Sequence, residues 1–194
     1  YKVTYLSRKA DPSASIPRYG WDISKGELDY QALEGTDHII HLAGAGVADE
    51  RWTKSRKEIL YHSRIDSTKL LYQSLKDGNY KPKTFIAASA VGFYGSRGDE
   101  WVKEESEPAD TFLAKICADW EAESSKVNKL GIRTCINRIG IVLAKEGGAL
   151  KEILQTAPFG FVSYLGSGNQ YYPWIHVQDL ARIFVHQIKQ ENTN

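Results

Sequence analysis

The chain has 194 residues, a formal net charge of +1, 42% hydrophobic and 25% charged residues, which suits one domain with a real core. The near-neutral charge removes any electrostatic case for nucleic acid or an anionic membrane surface. No apolar run reaches the length of a membrane span, so a membrane partner is not expected either.

The first element predicted is a strand over Tyr1–Leu6, with Ser7-Arg8-Lys9 at its end. A loop follows at Asp11–Ser15, then a short strand over Ile16–Trp21 ended by Asp22. Leu28–Leu33 reads as a short helix or turn stopped by Gly35. His38–Ala43 reads as a buried strand, broken by Gly44-Ala45-Gly46. Thr53 is the expected cap of a long helix to about Lys76, with Ile59, Leu60, Leu70, Leu71 and Leu75 inward and Gly78 closing it.

The next strand, Thr84–Ala88, leads into Ser89-Ala-Val-Gly-Phe-Tyr94-Gly95. A buried strand ending in a hydroxyl beside a glycine-containing loop suits a site at the carboxyl end of an α/β sheet. Gly95–Pro108 is a polar, acidic loop, and Asp110 is the expected cap of a helix through Leu130. Phe112, Ile116 and Trp120 recur at helical spacing there, with Leu113 and Cys117 beside them. Gly131 closes that helix, Ile132–Leu143 reads as one strand, and Ala149–Thr156 as a short helix after Gly147-Gly148. Tyr172–Ile175 is extended, and Val177–Gln190 is amphipathic with Leu180, Ile183, Phe184 and Ile188 inward. Cys117 and Cys135 fall in element interiors and read as small buried apolar residues, which fits a reducing, cytoplasmic compartment. No metal-ligand spacing occurs, so no metal is expected.

Strands alternating with helices predict an α/β fold: a Rossmann-type, doubly wound parallel sheet built by right-handed crossovers. The pattern resembles the extended short-chain dehydrogenase/reductase superfamily over nearly the whole chain. Within it the chain is similar to the epimerase branch of the SDR39U1 type and its bacterial nucleoside-diphosphate-sugar epimerase-like relatives. The residues that carry this are His41–Gly44, Arg51-Trp52-Thr53, Ser63-Arg64, Ser89–Gly95, Trp120-Glu121, Arg138–Leu143, Gly147–Ala149, Gly166–Gly168 and Pro173–His176. The resemblance implies an opening strand, Gly-rich turn and helix before Tyr1. The absence of methionine and of a G-x-G-x-x-G run fits a chain without them. Without that central strand the sheet is expected to split, leaving two open edges. Residues 1–194 then form a partial NAD(P)-binding domain, with 144–176 contributing to a small substrate lobe.

The same resemblance assigns cofactor roles. Ser7 and Arg8 stand where an NAD site carries an acidic residue, so NADP(H) is the cofactor expected. Leu42, Ala43 and Gly44 would lie under the cofactor, and Trp21 and Asp22 would flank the adenine unless they pack. Arg64 reads as a solvated helix arginine from its residues alone, whereas the resemblance points it at the cofactor phosphates. Gly140 and Ile141 would lie near the nicotinamide, with Arg138 pairing with phosphate or with structure.

Ser89 matches the family's substrate-orienting hydroxyl, but its usual Tyr and Lys partners are missing: Lys115 has Thr111 four residues before it, and matching on Trp120-Glu121 instead puts Leu113 and Cys117 in their places. Tyr94, His176 and Lys115 are the remaining candidates to handle a proton, each with a packing, capping or solvated alternative. Two functions follow. One is an NADP(H)-dependent oxidoreductase or epimerase acting on a small polar, nucleotide-sugar-like substrate. The other is a catalytically silent NADP(H)-binding sensor or interaction protein on the same fold. The partners expected are a small molecule and a second copy of the chain.

Overall fold

The computed structural model describes residues 1–154 and 168–190. The chain divides into two compact units, one formed by residues 1–87 and 119–136, the other by 88–118 and 137 onward.

In the first unit, strands β1 (Tyr5–Ser7) and β2 (Arg18–Asp22) pair in parallel, with Ser7 opposite Gly20. The predicted first strand is shorter than expected: Tyr1–Thr4 make no ladder. The second begins at Arg18, which also forms an isolated antiparallel bridge with Asp11. A hairpin not foreseen then adds β3 (Glu27–Leu28) antiparallel to β2, and a 3-10 turn at Tyr30–Ala32 follows. Asp22 builds that hairpin. Its carboxylate accepts from the Ser24 and Lys25 amides and the Ser24 hydroxyl, and Gly26 takes a positive φ of 68°.

A second sheet has the order β4-β5-β6, with β4 (His38–His41) parallel to β5 (Thr84–Ala90) and β6 spanning Arg133–Ile139. Among the described residues the β1-β2-β3 and β4-β5-β6 sheets stay separate. The expectation that His38–Ala43 is buried is corrected: β4 is an edge strand, Ile40 is 42% exposed, and the strand stops at His41.

Helix α1 (Lys54–Asp77) is capped by Thr53, whose hydroxyl accepts from the Arg56 amide. Its buried residues are Arg56, Leu60, Ile65, Ser67, Thr68, Leu71, Ser74 and Leu75. Ile59 is half exposed, contrary to the periodic reading. The core of this unit joins Leu28, Leu33, Leu71, Leu75, Phe85, Val127 and Ile132.

Helix α2 (Phe112–Ser125) carries on as a 3-10 turn to Leu130, ended by Gly131 at φ 76°. Its cap is Thr111, one residue later than expected, because the Thr111 hydroxyl accepts from the Ala114 amide. Helix α3 (Gly148–Ile153) opens one residue early, while Gln155-Thr156 of the predicted helix and Gly166-Ser167 of the quoted motif lie outside the described residues. Helix α4 (Val177–Lys189) buries Phe184, half-buries Leu180 and Ile188, and leaves Ile183 40% exposed.

The single strand expected over Ile132–Leu143 is two strands. It breaks at Gly140, and β7 (Ile141–Ala144) leaves to pair in parallel with β8 (Trp174–His176). A Cβ on Gly140 would meet the Pro173 carbonyl oxygen at 2.7 Å, and Ile141 donates its amide to that same oxygen. Gly140→Ala therefore has no rotamer escape and must shift backbone. A loss of about 1–3 kcal/mol is expected in chemical denaturation, and a wild-type midpoint would show that the contact is not tight.

Candidate functional site

The first unit presents its strand ends as follows. β1 ends at Ser7, and the half-buried Ser7 hydroxyl accepts only a long 3.4 Å bond from the Lys9 amide. Arg8 is exposed beside it. Such a hydroxyl and guanidinium at a strand end make a donor set for an anion. Trp21 packs on the core and meets the His41 ring edge-on at 6.4 Å. Asp22 is engaged in its own turn, which lowers its pKa chiefly through the Ser24 hydroxyl.

Beyond β4, Leu42 is 55% exposed and Gly44 has exposed backbone. An apolar side chain followed by bare backbone is what a ligand lying flat on the strand end requires. This segment is clamped from α1. The Ser63 hydroxyl accepts from the Ala45 amide at 3.0 Å, and Arg64 donates to the Ala45 carbonyl at 3.0 Å and to the Leu60 carbonyl at 2.9 Å. A Cβ on Gly44 would lie 3.0 Å from the Arg64 Cζ. Glycine thus stands at 44 because Arg64 crosses it. Arg56 repeats the device further on: it donates to the Gly46 carbonyl at 2.7 Å and pairs with Asp49 and Glu50 while its side chain stays 8% exposed.

The clamp rests on a buried polar network. His41, 3% exposed, has Nε2 at 3.0 Å from the Thr68 hydroxyl and 3.3 Å from Ser67. Both hydroxyls donate to the Arg64 carbonyl, and the Trp120 indole donates to Thr68 at 3.1 Å. Thr68 has one hydrogen and gives it to Arg64, so the hydrogen between Thr68 and the imidazole belongs to Nε2. The Arg64 guanidinium lies 5.4 Å from the Trp120 ring. One chain of contacts therefore runs from His41 to the segment after β4.

The second unit holds the proton-handling candidates. Ser89 lies inside β5, not after it, and is 3% exposed. Tyr94 is half-buried after a 3-10 turn at Val91–Phe93, and its hydroxyl accepts from Arg138 at 2.9 Å. Arg138 also donates to the Glu104 carbonyl and stacks on Phe93 at 3.6 Å from the ring centroid. The sequence left Tyr94 and Arg138 as separate candidates, and the structure pairs them. Lys115 is exposed on α2. Gly140 serves the Pro173 contact, and Ile141 pairs with Trp174. His176 caps α4, its Nδ1 accepting from the Gln178 amide at 3.3 Å. Among the described residues, no group of three or more His, Cys, Asp or Glu could hold a metal, and no helix is long and apolar enough to cross a membrane.

Sequence reasoning missed His41, Thr68 and Trp120 as one supporting network, and Arg56 as a second clamp on the segment after β4. The histidine ending an apolar run was the signal, since a buried imidazole must find hydrogen-bond partners.

The pattern of the NAD dependent epimerase/dehydratase family matches residues 1–194. The epimerase family protein Mb2239 of Mycobacterium bovis is 36% identical over 192 residues, covering 99% of this chain and 62% of its own length. The crystal structure of the human epimerase family protein SDR39U1 (isoform 2) with NADPH is similar at TM-score 0.83 and 28% identity, over 100% of this chain and 63% of that one. The nucleoside-diphosphate sugar epimerase of Corynebacterium glutamicum is similar at TM-score 0.77 and 36% identity, over 96% of this chain and 38% of that one.

Burial pushes the His41 imidazole down to about 4 from its ordinary 6.5. The unfolded chain therefore binds a proton near pH 6.5 that the folded chain refuses until about pH 4. Stability is unaffected above that window, falls as pH drops through it, and loses nothing more from this group below it. The ceiling is about 3 kcal/mol. Urea melts at pH 7 and pH 5 should differ less for His41→Gln than for the wild type, and an equal difference would contradict the assignment.

Proposed function

The chain belongs to the NAD dependent epimerase/dehydratase family, and on that premise we propose that it is an NADP(H)-dependent oxidoreductase or epimerase-like protein. Its substrate is a small polar molecule of the nucleotide-sugar type. The chain spans 62% of the length of the Mycobacterium bovis relative, so these are proposals about the protein as a whole.

The observation that carries the cofactor choice is the end of β1. Ser7 is half-buried, Arg8 is exposed, and the strand-end run Ser7-Arg8-Lys9 itself contains no carboxylate to accept from a ribose 2′-hydroxyl. A guanidinium and a hydroxyl suit a 2′-phosphate instead. The human relative was solved with NADPH, which supports the same choice. Leu42 to Gly44 would receive the flat body of the cofactor, held in place by Ser63 and Arg64. Arg64 thus contributes by bonding the Ala45 carbonyl, whatever else it touches.

A bound nicotinamide supplies or takes hydride. The residues of this chain have to orient the substrate oxygen and manage its proton. Ser89, inside β5 just before Ala90, is the orienting hydroxyl, and Tyr94 is the phenol nearest to it in sequence. Residues 144–176 are proposed to contribute to the substrate lobe. The buried thiols of Cys117 and Cys135, which form no disulfide, suit a cytoplasmic setting. The second reading, a silent NADP(H) sensor, is favoured by one feature: α2 carries Leu113 and Cys117 where a tyrosine and lysine would act.

Calorimetry on the full chain should show NADPH binding more tightly than NADH. Arg8→Glu should cost NADPH about 1.5–3 kcal/mol, the worth of a charge-assisted contact, and spare NADH. Equal affinities in the wild type would overturn the 2′-phosphate reading.

A further inference from the structure

Three groups hold the guanidinium of Arg138. Its Nη1 donates to the Tyr94 phenol oxygen at 2.9 Å and to the Glu104 carbonyl at 2.7 Å. Its Cζ sits 3.6 Å from the centroid of Phe93, which is only 7% exposed. The arginine is thus stacked on a fixed ring and pinned at its end. Arg97 fastens the same turn from the other side, donating to the Tyr94 carbonyl at 3.0 Å and the Glu107 carbonyl at 2.7 Å.

A guanidinium has five N–H donors and no acceptor. The Tyr94 oxygen receives a bond from Arg138 and has no way to return one. Its own hydrogen must be given in another direction, to water or to a ligand oxygen. The pairing therefore fixes where the oxygen sits and frees its hydrogen to point away from Arg138. A phenol held by one donor on one side is a directed donor on the other.

We propose that Arg138 is a positioning residue: it holds Tyr94 as a hydrogen-bond donor to the substrate oxygen and does not bind cofactor phosphate. The inference rests on the reading of the protein as a nicotinamide-dependent enzyme or binder. The acidic loop over residues 95–108 belongs to the same assembly, because Arg138 and Arg97 tie it to the tyrosine at Glu104 and Glu107.

The test uses the full chain labelled with carbon-13 at the tyrosine Cζ. Tyr94→Phe removes one line from the eleven tyrosines and so identifies it. Arg138→Gln should displace that line and leave NADPH affinity unchanged. Arg138→Lys, which keeps the charge and a donor, should displace it less. If Arg138→Gln does not fold, Arg138→Lys carries the test alone, and its line must still move. On a substrate that the wild type turns over, Tyr94→Phe and Arg138→Gln should each lower kcat by about 10²–10³, as removal of a directed donor does. The double variant should be no worse than either. An unmoved Tyr94 line, additive losses in the double variant, or weaker NADPH binding in Arg138→Gln would overturn the proposal. A wild type that binds neither NADPH nor NADH would overturn the cofactor reading, and with it any role of Tyr94 toward substrate, whatever the tyrosine spectrum shows.

Discussion

A buried imidazole has to be paid for with hydrogen bonds, and His41 sets that demand on the first unit. It ends β4, is 3% exposed, and meets Thr68 and Ser67 from α1 while Trp120 from α2 closes on Thr68. Leaving such a group unpaired costs about 1–3 kcal/mol, so strand and helices are locked in one register. The Arg64 carbonyl takes both hydroxyl hydrogens, which fixes the backbone from which the Arg64 side chain reaches the Ala45 carbonyl. The strand end after β4 is therefore shaped by a network whose His41, Ser67, Thr68 and Trp120 members are buried. A surface presented to a ligand inherits its precision from groups the ligand never meets.

The second unit uses cations in another way. Arg138 and Arg97 bond mostly to backbone carbonyls and to one phenol. Carbonyl partners fix position without cancelling charge, so the turn over Val91–Tyr94 is held while a guanidinium stays beside the Tyr94 oxygen. Arg97 keeps one carboxylate partner, Glu100, at 3.5 Å on the surface, where such a pair is worth little. Gly140 belongs to the same economy of close approach: it lets the Pro173 carbonyl reach the chain where β6 gives way to β7.

The alternation of strands and helices was legible in the sequence, and so were the Thr53 cap, the Gly131 stop and the buried run of β5. These depend on local periodicity and cap chemistry, which are written in neighbouring residues. The break at Gly140 was not legible, because it answers to Pro173, distant in sequence. The hairpin at Asp22 had its signal in the Asp-x-Ser-Lys-Gly run, but strand propensity there is weak. Helical periodicity puts Ile59 and Ile183 inward, whereas they are 50% and 40% exposed. Of the candidate site, Ser7, Arg8, Leu42–Gly44 and Ser89 could be nominated as strand ends. The bond between Tyr94 and Arg138 could not, since nothing in a sequence shows which of many side chains meet across forty-odd residues.

The central claim is that the ends of β1 and β4 in the first unit receive a nicotinamide dinucleotide. Amide hydrogen exchange on the full chain, with and without saturating NADPH, tests it directly. Exchange should slow at Ser7–Lys9 and at Leu42–Gly46 together. Exchange unchanged at both segments, with NADPH demonstrably bound, would contradict the account.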